Sequence, residues 1–180
     1  IEEVQRELGL EQITKLASNE NPLGPSPLAL EAIRKAEQDL HRYPDASGLN
    51  LRKRLAERFD VKIDNVVLGA GSEGIMATIM RTFLLPEDEI ITAQNSFIGF
   101  TVLAKASGRQ VHWVPMKEHR YNLKAMATFI NEYTKIIYLA NPDNPMGTYF
   151  TVEEFDAFME KVPERVLIIM DEAYFEFAQS

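Results

Sequence analysis

The sequence contains no cysteine, which excludes disulfides and thiolate zinc sites. Its three histidines, His41, His112 and His119, form neither an i, i+4 helical pair nor an HExxH pattern, so no metal is expected. No apolar run approaches the roughly 18 residues that a membrane-spanning helix needs. The opening Ile1-Glu2-Glu3-Val4-Gln5-Arg6 lacks the basic-then-apolar order of a secretory signal, and a cytoplasmic setting is expected. Positive charge is also short: 19 Lys and Arg against 27 Asp and Glu leave a net charge of -8. Such a balance opposes a general grip on nucleic-acid phosphates or anionic membranes, so neither is expected as a partner.

What remains is a globular composition, 46% hydrophobic and 26% charged over 180 residues, enough for one domain or one domain with an appendage. From Val66 onward, short β-branched runs alternate with longer helical patterns, the rhythm of βαβ units around a mostly parallel sheet. Strands are predicted at residues 66–68, 89–92, 110–114, 135–139 and 166–170, and helices at 72–84, 98–106, 123–132 and 152–161. Thr151 and Glu154 have the spacing of a capping box at the last helix. Earlier, residues 19–27 form a polar, proline-rich loop, after which Ser26 as N-cap and Pro27 open a helix to about Leu40. Leu28, Ala32, Ala36 and Leu40 mark its apolar face, and a second amphipathic helix is predicted over residues 49–59.

Three junctions carry candidate chemistry. Gly69-Ala70-Gly71-Ser72-Glu73-Gly74 lies between a strand and a helix, where free amides and the helix dipole hold a phosphate. It also reads as G-x-G-x-x-G, but the acid that a dinucleotide site needs about 20 residues on is missing around Thr92, and a ligand-free tight turn is the plain alternative. Asn141-Pro142-Asp143-Asn144-Pro145-Met146-Gly147 follows another strand; it is either a simple turn or a stiff path that aims an amide side chain. Asp171-Glu172-Ala173-Tyr174 ends an apolar strand, as a solvated acidic loop or as a carboxylate set beneath a cationic ring nitrogen, with Tyr174 near enough to join it. Phe97 is a core residue or a platform for a ring, and Tyr43, before Pro44, is a half-exposed aromatic or a phenol that reaches a partner.

Taken in order, residues 16–27, Arg42-Tyr43-Pro44-Asp45, the Gly69 turn, residues 141–147 and Asp171-Glu172-Ala173-Tyr174 resemble the fold-type I pyridoxal-phosphate aminotransferases, and most of all the histidinol-phosphate aminotransferase subfamily. The resemblance implies a three-layer αβα fold, with residues 1–60 as an N-terminal arm and helices and residues 61–180 as the first part of a large cofactor-binding domain. It implies pyridoxal 5'-phosphate as cofactor, held at its phosphate by backbone around Gly71, Ser72 and Glu73 and stacked on Phe97. Asn144 and Tyr174 would hydrogen-bond the ring hydroxyl, and Asp171 would pair with the ring nitrogen. Tyr43 would reach the partner subunit's cofactor phosphate in a homodimer, and the loop with Asn19 and Asn21 would contact substrate. The implied reaction moves an amino group from histidinol phosphate to 2-oxoglutarate in histidine biosynthesis.

Three departures from the family pattern stand out. Ser72-Glu73-Gly74 replaces the commoner Ser-Asp-Glu, and Asp143 and Met146 stand where Asn and Thr are usual. No lysine follows Asp171, so the family's Schiff-base lysine is missing, as is the later arginine for a substrate carboxylate. The chain is therefore expected to be the N-terminal half of an enzyme and inactive alone. Family topology implies seven strands, with a gap here between the first and fifth that would expose Val166, Ile168 and Ile169 at an edge. Aromatic-amino-acid aminotransferases and amino-acid phosphate decarboxylases of the same fold are alternatives; a nicotinamide-dependent oxidoreductase and a non-enzymatic α/β binding domain are more distant ones.

Overall fold

Strands β1 (Glu89–Ala93), β2 (Gln110–Val114), β3 (Thr134–Ala140) and β4 (Leu167–Asp171) form one sheet in the order β2-β1-β3-β4, every pair parallel. The structure, a computed structural model, describes residues 1–178. Apolar runs without alternation suit strands covered on both faces, and Ile90, Ile91, Ile136, Ile137, Tyr138 and Leu139 are fully buried. Helices α4 (Gly71–Phe83), α5 (Ile98–Ala106), α6 (Leu123–Thr128) and α7 (Val152–Met159) flank the sheet, α4 packing on α5 and α6 on α7. Right-handed crossovers put α5 on one face and α6 and α7 on the other, because the chain reverses direction across the sheet after β2. This is the αβα layering expected from the sequence.

The chain divides into two compact units, residues 1–49 and 50–180. In the first, α1 (Glu2–Leu8) ends at Gly9 in the left-handed conformation, φ +64°, a stop signal that the sequence reading did not use. Helix α2 (Pro27–Ala36) starts as predicted, with the Ser26 hydroxyl accepting from the Ala29 amide at 3.1 Å, and continues as a short 3-10 turn to Asp39. Its predicted apolar face is not buried: Leu28 and Leu40 are exposed.

Helix α3 (Leu49–Phe59) carries Arg52, whose guanidinium donates to the Val66 carbonyl at 3.0 Å and the Ile63 carbonyl at 2.9 Å. Here one expectation fails. Val66 is extended, but residues 66–68 form no strand: a strand requires a neighbouring ladder, and the Val66 carbonyl is taken instead by Arg52. The exposure predicted at β4 is corrected too: Val166 and Ile169 are buried, and Ile168 is half-buried. Although β4 ends the sheet, an edge exposes backbone groups, while its side chains point toward the helix-covered faces. The helix predicted to residue 132 stops at Thr128, because the Asn131 side chain accepts from the amides of Tyr133 and Thr134 and builds a turn instead. The predicted capping box at α7 is formed on both sides.

Candidate active site

Direction changes between β1 and β3, whose following connections lead to opposite edges of the sheet, and such a switch point opens a crevice at the carboxyl ends of the strands. A small cavity of about 100 Å³ lies there, lined by Ser72, Phe97, Ala140, Pro142, Asn144, Asp171, Ala173 and Tyr174. Five residues singled out from the sequence thus share one space, brought from four separate segments. Gly71 and Glu73 adjoin it in the first turn of α4. Asn19, Asn21 and Tyr43 belong to the first unit; the Tyr43 side chain is exposed, and Asn21 closes its own loop by accepting from Leu23 N–H and donating to the Gly24 carbonyl.

The turn into α4 is built for close approach. Ala70, at φ -78° and ψ 72°, centres an inverse γ-turn in which the Gly71 amide donates to the Gly69 carbonyl at 2.9 Å. Gly71 then takes φ +69°, a conformation that costs other residues about 1–2 kcal/mol. No side chain caps the helix, so the partial positive charge of its first turn faces the cavity beside Ser72.

After β1, Phe97 occupies the N-cap of α5 with its ring folded back over Gly99. A Cβ at Gly99 would lie 2.5 Å from Phe97 Cε1 and 2.6 Å from Cζ. Glycine there is what allows this ring position, a requirement invisible until the fold is known. After β3, the two Asn-Pro pairs, both cis, divide the work. Asn141 pairs with the backbone of Phe150, accepting from its amide at 3.0 Å and donating to its carbonyl at 3.2 Å. Asn144 is left to line the cavity.

Asp171 is the last residue of β4, and its carboxylate accepts from the Tyr138 hydroxyl at 2.9 Å and the Ala173 amide at 3.2 Å. Tyr138 was not singled out in the sequence. It is fully buried in β3 and stacked on Phe100 with ring centroids 3.9 Å apart and planes 7° apart. Burial first, and then the negative charge of Asp171, raise the Tyr138 pKa far above that of a free phenol, so the hydroxyl keeps its proton and acts as donor. A polar atom inside the apolar run of β3 was the available clue.

A larger cavity, about 480 Å³, lies over α6 and α7. Its lining mixes Lys117, Lys124 and Lys161 with Glu118, Glu153 and Glu154, and its Arg120 is held by Glu154 and the Tyr149 carbonyl. The strand-end cavity is the better candidate because it collects an uncapped helix start, an aromatic ring, an amide, a phenol and a carboxylate. That set suits a planar heterocycle with an anionic group at one end and a protonated nitrogen at the other.

Residues 11–180 match the family described as Aminotransferase class I and II. A histidinol-phosphate aminotransferase of Anaeromyxobacter sp. is 43% identical over 100% of this chain and 50% of its own length. One from Pseudomonas fluorescens is 44% identical over 99% of this chain and 49% of its own. Among solved structures, a histidinol-phosphate aminotransferase of Sinorhizobium meliloti in complex with pyridoxal-5'-phosphate superposes with a TM-score of 0.91 at 30% identity, covering 99% of this chain and 49% of the other. An aspartate aminotransferase of Thermus thermophilus, 20% identical with a TM-score of 0.83 over 95% of this chain and 48% of the other, shares the fold. The chain spans about half the length of the curated relatives it matches.

Proposed function

The chain belongs to the class I and II aminotransferases, and from that premise we propose that it forms part of the cofactor-binding half of an enzyme that transfers an amino group between histidinol phosphate and 2-oxoglutarate. The carrying observation is the convergence of Ser72, Phe97, Asn144, Asp171 and Tyr174 on one cavity at the carboxyl ends of the strands. The donor set fits pyridoxal 5'-phosphate: the backbone around Gly71, with the amides of Ser72 and Glu73 as donors, for the phosphate, Phe97 for the ring face, and Asn144 and Tyr174 for the ring hydroxyl. Bound there, the cofactor would supply an electron-withdrawing ring that stabilises negative charge developing at the Cα of an amino acid.

Asp171 would hold a proton on the ring nitrogen, and Tyr138, by donating to one carboxylate oxygen, would fix the plane in which Asp171 does so. The subfamily choice rests on the identity of the relatives over the whole of this chain. A cytoplasmic homodimer accompanies this reading, with Tyr43 directed to the partner subunit's cofactor phosphate, Asn19 and Asn21 to substrate, and residues 61–180 as the first part of the large domain.

Absorbance titration of the native protein with pyridoxal phosphate tests the cofactor, and turnover of histidinol phosphate with 2-oxoglutarate tests the reaction. Saturable binding that Asp171→Ala weakens is expected; equal affinity in both proteins would refute the site. Tyr43→Phe should raise the cofactor dissociation constant with the dimer intact, since a charge-assisted hydrogen bond contributes about 1.5–3 kcal/mol. Mixed dimers that join Tyr43→Phe with Asp171→Ala should recover one working site; no recovery would mean that Tyr43 acts within its own subunit.

Gly99→Ala should separate site from stability. Gly99 is the second residue of α5, where alanine is favoured over glycine by at most the roughly 1 kcal/mol of a helix interior, so denaturant unfolding should show little loss. The displaced Phe97 ring should nevertheless weaken cofactor binding about three- to tenfold, the scale of a lost aromatic contact. Unchanged affinity would show that Phe97 does not carry the ring.

A further inference from the structure

Asp143 is nearly fully buried, and among the described residues no cationic side chain pairs with it. A buried carboxylate in that situation is costly unless hydrogen-bond donors replace water. Its Oδ1 accepts from the Ser96 hydroxyl at 2.6 Å, and its Oδ2 accepts from the Met146 amide at 3.1 Å. Ser96, also buried, lies 2.7 Å from the Tyr121 hydroxyl, which accepts from the Ala140 amide at 3.1 Å. Proton counting fixes the direction of the chain. With the Ser96 hydrogen directed at Asp143, Tyr121 must donate to Ser96, and one line runs from Ala140 N–H through Tyr121 and Ser96 to the carboxylate.

Ser96 directly precedes Phe97, and Asp143 directly precedes Asn144. We propose that Asp143 is a positioning residue which, through Ser96 and Tyr121, ties the loop after β1 to the loop after β3 and so sets Phe97 and Asn144 against each other across the cavity. The inference rests on the cofactor reading above and assigns a purpose to the position where Asp replaces the family's usual Asn. Burial raises the Asp143 pKa, while the bonds from Ser96 and Met146 oppose that shift, consistent with donors aimed at the carboxylate from both sides. Within the same loop the Asp143 amide donates to the Thr148 carbonyl and the Gly147 amide to the Asp143 carbonyl, each at 2.8 Å, so its backbone is held as firmly as its side chain.

The test uses the native protein with Ser96→Ala, Asp143→Ala, both together, and Asp143→Asn. Pyridoxal phosphate affinity, the visible circular dichroism of the bound cofactor and hydrogen exchange at the Met146 and Gly147 amides are read for each. Either alanine variant should raise the dissociation constant about tenfold or more, equivalent to 1.4 kcal/mol, and reduce the dichroism that an immobilised ring produces. The double variant should be no worse than the worse single one, because both changes cut the same link. Asp143→Asn, whose Oδ1 still accepts from Ser96 while its Nδ2 can no longer accept from the Met146 amide, should keep the link between the loops and restore part of the affinity and the signal. Ser96→Ala removes one hydroxyl and stays informative if Asp143→Ala does not fold. Wild-type affinity in Ser96→Ala, or strictly additive losses, would overturn the inference. If the wild-type protein binds no pyridoxal phosphate, the cofactor reading fails separately, and faster exchange at Met146 and Gly147 in Ser96→Ala still decides whether the two loops are tied.

Discussion

Asp171→Asn is expected to lower kcat of the native enzyme by roughly 10²- to 10³-fold, the usual cost of removing one preorganised electrostatic contact to a developing charge. The substitution is conservative in shape. An asparagine oxygen still accepts from the Tyr138 hydroxyl, and although its amide nitrogen no longer accepts from the Ala173 N–H, the backbone pairing of β4, Ala140 opposite residue 171, should persist. What disappears is the negative charge that would keep the ring nitrogen of the proposed cofactor protonated. Thermal unfolding should therefore change little, while single-turnover rates with histidinol phosphate collapse and the spectrum of the bound cofactor shifts. A variant that retains more than a tenth of wild-type kcat would show that the carboxylate does not act on the ring nitrogen. Glu172→Gln is the natural control, because Glu172 is exposed and lines no part of the cavity.

The sheet was legible because buried parallel strands have a composition that little else shares. Residues 136–140 form one apolar run, and the strands before it in the chain, at 89–92 and 110–114, are set apart by helix-length segments, so strand positions and parallel direction followed together. Residues 66–68 misled because a short apolar triplet with two valines reports only a preference for extended backbone. Whether a ladder forms depends on what lies beside it, and Arg52, fourteen positions away from Val66, had no visible claim on that carbonyl. Residue 132 failed as a helix end for a local reason: the Asn131 side chain offers the backbone a turn that competes with the helix.

At the candidate site, chemistry was legible where a polar residue ends an apolar strand, as Asp171 does, or where glycines precede a helix, as Gly69 and Gly71 do. The residues behind them were not. Tyr138 and Tyr121 read as ordinary core aromatics, and only the fold reveals that one hydroxyl meets Asp171 while the other meets Ser96. Gly99 carries no signal in the sequence, because its constraint comes from a ring two residues earlier. Such contacts depend on side-chain direction and on packing between loops, neither of which has a periodicity to detect.

Phe100→Ala should destabilise the second unit by about 3–5 kcal/mol, the range for removing a large aromatic from a packed core. Phe100 is 1% exposed and lies face to face with the fully buried Tyr138, so the deletion opens a void that the remaining ring, anchored in β3, cannot fill. On the sheet face that carries Tyr138, the buried Ile90 and Ile136 sit in paired strands that cannot collapse inward without breaking that pairing. The loss should also reach the site. Tyr138 is held from one side by Phe100 and from its hydroxyl by Asp171; without the stacked ring, the hydroxyl gains freedom to tilt, and the carboxylate plane is less firmly set. Urea unfolding of the native protein should show the midpoint falling with the slope unchanged, and cofactor affinity should fall as well. Phe100→Leu, which keeps most of the volume but not the stacked ring, separates the two effects: stability should largely return, with less than about 1.5 kcal/mol lost, while affinity recovers only in part. If Phe100→Ala costs less than about 1 kcal/mol, at the low end of typical single substitutions, the stacked pair is not a central element of this core.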